Sequence, residues 1–139
     1  MIHILEDDHN RIKLFKLQLE EFKTFANPFD CLDSILDNLD KHSSHILFLD
    51  HDLECFEYTP YKVEITGTDF VNSFVSNNKI IDRKDSFIIF IHSHNVVRAK
   101  RMFEILSENG FTVELTKFGS KECAKACAFA AKEMKNEHR

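Results

Sequence analysis

Short strand-like segments alternate five times with stretches of helical periodicity along this chain. The segments are four or five residues long, and they are Ile2–Leu5, Phe22–Ala26, Ile46–Leu49, Phe87–Ile91 and Thr112–Thr116. Ile46–Leu49 and Phe87–Ile91 are continuously apolar, and Ile2–Leu5 is apolar apart from His3. Continuous apolar runs of this length are typical of strands buried on both faces. Regular strand–helix alternation is typical of a parallel sheet covered by helices. We therefore predict an α/β fold with five parallel strands in the order 2-1-3-4-5.

Residues typical of helix ends support the same fold. Asn27-Pro28 and Asn95 are helix-start signals, and Gly110 fits the end of the helix that Asn95 begins. The stretch from Leu53 to Thr66 shows no period, and so long a connection is often a functional flap. With neither an internal repeat nor a linker, residues 1–139 are predicted to form one flavodoxin-like, doubly wound domain.

Composition excludes several classes of protein. A hydrophobic content of 43% argues against disorder, no apolar run is long enough to cross a bilayer, and the N-terminus shows no signal-peptide pattern. The net charge of −5 disfavours binding to duplex DNA.

Two of the cysteines, Cys123 and Cys127, lie four residues apart, as two metal ligands on one face of a helix would, but we favour small buried thiols. We expect a cytoplasmic protein with reduced cysteines.

Acidic residues follow the first and third predicted strands. Asp7 and Asp8 follow the first, with Glu6 beside them, and Asp50 and Asp52 follow the third. The carboxyl ends of neighbouring parallel strands meet at one edge, where gathered carboxylates repel unless a cation or protons relieve them. We favour a divalent ion, Mg²⁺ or Mn²⁺, held by Asp7, Asp8 and Asp50. The competing interpretation is that these acids cap helices, as Asp8 is placed to do, and face solvent.

This arrangement resembles the receiver domain of bacterial response regulators over essentially the whole chain. A receiver has an acidic pair after its first strand, an acceptor Asp after its third, Thr or Ser after its fourth and Lys after its fifth. Here the acidic pair, Asp50 and Lys117 match. His92 stands at the Thr/Ser position unless the register moves by one residue and Ser93 takes it.

A divergent receiver-like family, the cyclic-phosphate processing receiver domain, is a closer match. The resemblance rests on four motifs in the expected order, namely Asp7-Asp8-His9-Asn10-Arg11, Asp50-His51-Asp52-Leu53, Thr66-Gly67-Thr68-Asp69 and His92-Ser93-His94-Asn95. It implies an enzyme that processes a cyclic phosphate, in a nucleotide or at an RNA end.

These residue types suit a metal-dependent phosphoesterase. Carboxylates with a divalent ion activate water and polarise a phosphoryl group, and histidine transfers protons near neutral pH. The predicted catalytic residues are His92, His94, Asp50, Asp52 and Lys117. The predicted phosphate-binding residues are Arg11, Ser93 and Asn95, the last at a helix N-terminus that favours anions.

Two other functions remain open at this point. One is a response-regulator receiver phosphorylated on Asp50 by a histidine kinase, and the other is a non-catalytic module that binds a nucleotide or a protein. The histidines after the fourth strand and the long flap favour the phosphoesterase. Its expected partner is a small phosphate-containing substrate or an RNA end, with neither membrane nor duplex DNA.

Overall fold

The computed structural model describes residues 1–58 and 60–137, and its central feature is a five-stranded parallel sheet. The strands are β1 (Ile2–Leu5), β2 (Lys23–Phe25), β3 (His45–Leu49), β6 (Phe87–Ile91) and β7 (Thr112–Leu115). They lie in the order β2-β1-β3-β6-β7, and every neighbouring pair is parallel. This is the predicted order, because β6 and β7 are the fourth and fifth strands of the sheet.

The helices begin where side chains satisfy their first N–H groups. They are α1 (His9–Lys16), α2 (Pro28–Asn38), α3 (Gly67–Val75), α4 (Asn78–Ile81), α5 (Val96–Glu108) and α6 (Lys121–Glu137). Asn27 and Asn95 cap α2 and α5 as predicted, and Gly110, with a φ of 85°, follows α5. The sequence did not reveal α4, because four residues are too few to show a helical period. Among the described helices, none is long and apolar enough to span a bilayer.

Two apolar layers cover the two faces of the sheet. One layer packs against α1 and α6 and contains Ile4, Phe48 and Phe90; the other packs against α2, α3 and α5 and contains Leu5, Leu49 and Ile91. Successive strand residues therefore alternate between the layers. The residue after each of these strand ends consequently points to the α1 and α6 side.

The stretch from Leu53 to Thr66 contains an antiparallel hairpin that the sequence did not reveal. Its strands, β4 (Cys55–Glu57) and β5 (Val63–Ile65), are too short to show a period. Leu53 and Ile65 anchor it in the core. Glu54, at its base, has a φ of 46°, a conformation that costs energy for any residue with a Cβ. The flap is thus built as a hairpin, and its function stays a prediction.

We expect His3 to make the unfolding free energy fall in acid. His3 is buried, with Nε2 3.0 Å from Ser34 Oγ, and burial lowers its pKa from 6.5 to about 3. The unfolded chain binds a proton below pH 6.5 that the folded chain does not, so this group's contribution is lost as the pH falls below 6.5. Between pH 7 and pH 5 the expected loss is about 2 kcal/mol.

Urea unfolding over this pH range measures the effect. His3→Asn is expected to flatten the pH dependence by that amount, whereas His9→Asn, at an exposed position on α1, keeps the wild-type slope. If His3→Asn and the wild type lose stability in parallel, buried His3 does not drive the acid sensitivity.

Candidate functional site

The strand register places Glu6, Asp50 and His92 side by side. β1 and β3 pair Leu5 with Leu49, and the next backbone bonds continue the ladder. The N–H of Asp50 donates to the carbonyl of Leu5 at 3.0 Å, and the N–H of His92 donates to that of Leu49 at 3.0 Å. The first polar residue after each of these three neighbouring strands therefore joins one row.

This row is a buried trio of ionisable groups. The relative exposures of Glu6, Asp50 and His92 are 1%, 2% and 0%. His92 Nε2 lies 3.0 Å from Glu6 Oε2, and one ligand atom of each residue lies within 4.8 Å of the others. Glu6 Oε1 and His92 Nδ1 are buried without a hydrogen-bond partner in the described chain. Two carboxylates and an imidazole at this spacing could hold a metal ion, and the unpartnered Glu6 oxygen is an acceptor that an ion would satisfy.

Arg11 and Phe118 cover the trio. Arg11, in the first turn of α1, places Nη1 3.4 Å from Asp50 Oδ2 and 3.5 Å from Glu6 Oε1. Its guanidinium carbon lies 5.4 Å from the centre of the Phe118 ring, and that ring lies 6.0 Å from the ring of His92. The carboxylates are thus neutralised by a cation that is itself held over an aromatic face.

Burial sets the charge state of the trio. Burial raises the pKa of Glu6 to about 7, although Asp50 and the Arg11 cation both act to lower it. Burial and the charge of Glu6 raise the pKa of Asp50. Burial lowers the pKa of His92 to about 4, so the imidazole is neutral at neutral pH. Neutral imidazole is the form that ligates a metal.

A cleft of about 440 Å³ opens beside Asp50. Its lining comprises Asp7, Asp8, His9, Asn10, Arg11, Asp50, Asp52, Glu54, Ser93 and His94. Most of the predicted site residues therefore meet here. Lys117 is exposed and does not belong to this lining, and His92 lies beneath it.

Asp7 and Asp8 stand at the rim of the cleft. Asp8 Oδ1 accepts hydrogen bonds from the N–H groups of Asn10 and Arg11 at 2.8 Å and 3.1 Å, and so caps α1. Asp7 is half-buried, and burial raises its pKa. Metal binding by Asp7 and Asp8 stays a prediction, with one oxygen of Asp8 already engaged by the helix.

Asp52 connects the loop after β3 to the start of α5. Its Oδ1 lies 2.7 Å from His51 Nδ1, and its Oδ2 accepts a hydrogen bond from Asn95 Nδ2 at 3.5 Å. Asn95 Oδ1 accepts from the N–H of Arg98, and Ser93 Oγ accepts from the N–H of Asn95. Ser93 and Asn95 thus order the helix N-terminus, while phosphate binding by them stays a prediction.

Close packing at Gly67 positions the loop that carries Asp50. The N–H of Gly67 donates to the carbonyl of His51 at 2.9 Å. A Cβ at Gly67 would lie 2.2 Å from the backbone oxygen of Asp50 and 2.9 Å from the Cα of His51. Because backbone atoms cannot move aside as a flexible side chain does, only glycine fits here.

Gly67→Ala is therefore expected to destabilise the protein by about 3 kcal/mol or more, since the overlap forces α3 away from the loop. Gly119→Ala is the matched control. Its φ of 80° adds strain of about 1 kcal/mol, but nothing lies within 4 Å of the added Cβ. Chemical denaturation of the two variants measures the difference, and equal losses would contradict the close approach.

Glu6 is a candidate ligand that sequence reasoning did not single out, since it could hold a metal ion with Asp50 and His92. The pattern analysis assigned the metal to Asp7, Asp8 and Asp50, because they resemble an acidic pair and an acceptor. The missed signal is the offset: Glu6 directly follows its apolar run, as Asp50 and His92 follow theirs. In a parallel sheet, equal offsets from aligned strand ends place residues in one row.

A comparison with models of protein families identifies the family of this chain. The family model of the cyclic-phosphate processing receiver domain matches residues 2–108, from β1 to the end of α5. The chain belongs to this family. The resemblance inferred from the four motifs is thereby confirmed, and β7 and α6 of this receiver domain lie beyond the matched residues. Comparisons with curated proteins and with solved structures found no match.

We expect a divalent metal to stabilise this receiver domain, because the ion removes the repulsion between buried carboxylates that the unfolded chain does not have. At about 100 times the Kd, the gain is about 2.7 kcal/mol. Glu6→Gln removes one ligand charge and is expected to lose most of the gain. Asp37→Asn, at an exposed position on α2, is expected to keep it. Thermal melting with and without millimolar Mn²⁺ measures both, and an unchanged wild-type Tm would contradict the site.

Proposed function

We propose that this receiver domain hydrolyses a small cyclic phosphodiester with a divalent metal held by Glu6, Asp50 and His92. The observation that carries the proposal is the buried trio, in which one oxygen of Glu6 and one ring nitrogen of His92 lack hydrogen-bond partners, beside a cleft lined by polar groups. Two carboxylates and a neutral imidazole favour a transition ion such as Mn²⁺ over Mg²⁺, which prefers oxygen alone. Membership of a cyclic-phosphate processing family supports the substrate class.

The charge of the cleft explains why a metal is needed. Its lining holds Asp7, Asp8, Asp50, Asp52 and Glu54 against the single cation Arg11. A phosphodiester anion is repelled by such a surface until a divalent charge is added. When bound, the ion polarises the phosphoryl group and lowers the pKa of a water molecule. Arg11, which lines the cleft, is placed to donate hydrogen bonds to a phosphate oxygen.

Proton transfer is assigned to His94 rather than to His92. His92 is fully buried, with its Nε2 3.0 Å from Glu6 Oε2, so we assign this imidazole to metal binding and not to proton transfer with the substrate. His94 is exposed and lines the cleft. We assign His94 to protonate the leaving oxygen when the phosphate ring opens, and Asp52, also in the lining, to accept a proton from the attacking water.

Several contacts make stable phosphorylation of Asp50 the weaker proposal. His92 occupies the row in which a receiver carries Thr or Ser, and the adjacent Ser93 Oγ accepts from the N–H of Asn95. Lys117 is exposed and lies outside the lining of the cleft. The hydroxyl and the lysine that would contact a phosphoryl group on Asp50 are thus differently arranged here.

The test incubates the protein and Mn²⁺ with 2′,3′- and 3′,5′-cyclic nucleotides and with RNA ending in a cyclic phosphate. Turnover is expected for at least one of them. His94→Ala is expected to lower kcat by about 10²- to 10⁴-fold with an unchanged Kd for Mn²⁺, because it removes a proton donor and no ligand. His92→Ala is expected to weaken Mn²⁺ binding. His42→Ala, at the opposite end of the sheet, is the control and keeps both values.

A parallel incubation with acetyl phosphate separates the alternatives. Stoichiometric, acid-labile labelling of Asp50 without turnover of any cyclic phosphate would contradict the proposal and support the response-regulator function. Nucleotide binding with neither labelling nor turnover would support a non-catalytic module.

A further inference from the structure

We propose that Arg11 is a resident counter-ion which a divalent cation displaces from Glu6 and Asp50, and that the displaced guanidinium then binds the substrate phosphate. The second half rests on the proposed function. The first half concerns the metal alone, and it can be tested without any substrate.

The position of Arg11 is the first argument. Its Nη1 contacts Asp50 Oδ2 and Glu6 Oε1, one oxygen from each carboxylate of the trio. Among the lysines and arginines of residues 1–58 and 60–137, Arg11 is the one whose side chain forms ion pairs with these two carboxylates. An ion bridging Glu6 and Asp50 would compete for the charge that Arg11 now neutralises. Arg11 and a metal are therefore competing occupants of one electrostatic site.

The weakness of these contacts is the second argument. Charge-assisted hydrogen bonds from nitrogen are typically about 2.7–2.9 Å long, whereas Arg11 lies at 3.4 Å and 3.5 Å. Glu6 Oε1 accepts no hydrogen bond although it is buried. A divalent ion carries twice the charge and approaches oxygen to about 2.1 Å, so its attraction for each oxygen is roughly three times larger at equal dielectric constant. The exchange thus satisfies an acceptor that Arg11 leaves unsatisfied.

The third argument is that the side chain of Arg11, once displaced, already lies beside the space in which a phosphate would bind. Its backbone N–H is held by the capping carboxylate of Asp8, so the side chain moves from a fixed base. The side chain is 25% exposed and lines the cleft. Once the ion neutralises the carboxylates, the guanidinium lacks its anionic partners and lies beside the space where a phosphate would bind. Guanidinium and phosphate form two parallel hydrogen bonds when they meet.

This exchange predicts a positive coupling between metal and phosphate. The metal frees Arg11, and a phosphate diester gives the freed guanidinium a new anion, so each ligand is expected to tighten the other. If the metal tightens phosphate binding, linkage requires phosphate to tighten metal binding by the same factor.

Calorimetric titration of the apo protein with Mn²⁺ tests the competition. Arg11→Gln is expected to bind Mn²⁺ about tenfold more tightly than the wild type, because the competing cation is gone. Lys16→Gln is the matched control, since it removes the same charge from an exposed position on α1 and is expected to change the Kd less than about twofold. Equal or weaker Mn²⁺ binding by Arg11→Gln would overturn the proposal.

Dimethyl phosphate, a diester monoanion, tests whether the displaced Arg11 side chain binds phosphate. It is expected to tighten Mn²⁺ binding in the wild type and in Lys16→Gln, and to leave it unchanged in Arg11→Gln. Coupling that persists without Arg11 would overturn the binding of phosphate by the displaced Arg11 side chain.

If Arg11→Gln fails to fold, NMR of the wild type tests the displacement. Saturating Mg²⁺ is then expected to shift the side-chain Nε–Hε signal of Arg11, identified by its loss in Arg11→Lys, and a stationary signal would overturn the displacement.

Failure here is distinguishable from failure of the proposed function. Tighter Mn²⁺ binding by Arg11→Gln, with no turnover of any cyclic phosphate by the wild type, would sustain the displacement and overturn the hydrolase. Turnover by the wild type without tighter binding by Arg11→Gln would overturn the displacement alone.

Discussion

Two carboxylates buried side by side impose the constraint on which the rest of this site depends. Glu6 and Asp50 have oxygens within 4.8 Å of each other, so with both ionised they repel by at least about 3 kcal/mol at an effective dielectric constant of 20. Two features relieve that repulsion: the Arg11 cation lies over both groups, and the raised pKa of Glu6, about 7, favours its protonated form. The neighbouring His92 contributes no positive charge, because burial keeps it neutral. A proton, the guanidinium and a divalent ion are thus three alternative ways to relieve one repulsion.

The sheet supplies the rigidity that keeps these groups together. Apolar layers on both faces fix β1, β3 and β6, and their parallel ladder continues one residue beyond the strands to Asp50 and His92. On the other side, α3 meets the loop after β3 at Gly67, where no side chain fits. The backbones that carry the two carboxylates are thus held close together, and a cation or a proton relieves the repulsion between them.

Much of the fold followed from pattern alone. Alternating apolar runs and helical periods predicted the strand order, and Asn27, Asn95 and Gly110 marked helix ends correctly, because strand burial and helix capping are local consequences of residue type. The hairpin of β4 and β5 and the short helix α4 escaped prediction, since segments of three or four residues carry no measurable period. Four motifs were enough to predict the family, which the match over residues 2–108 confirms.

The sequence by itself determined which strand ends bring polar side chains together, because a polar residue directly after a buried strand lies at the edge of the sheet. It left open which of Glu6, Asp7 and Asp8 joins Asp50, because the equal offset that places Glu6 in the row has meaning only once the strand ends and their pairing are known. Only the tertiary structure decided this, since the register turns Glu6 inward and leaves Asp8 to cap α1. It also decided that Arg11 lies over the trio and that His92 lies beneath the cleft, because both depend on how α1 packs across the sheet.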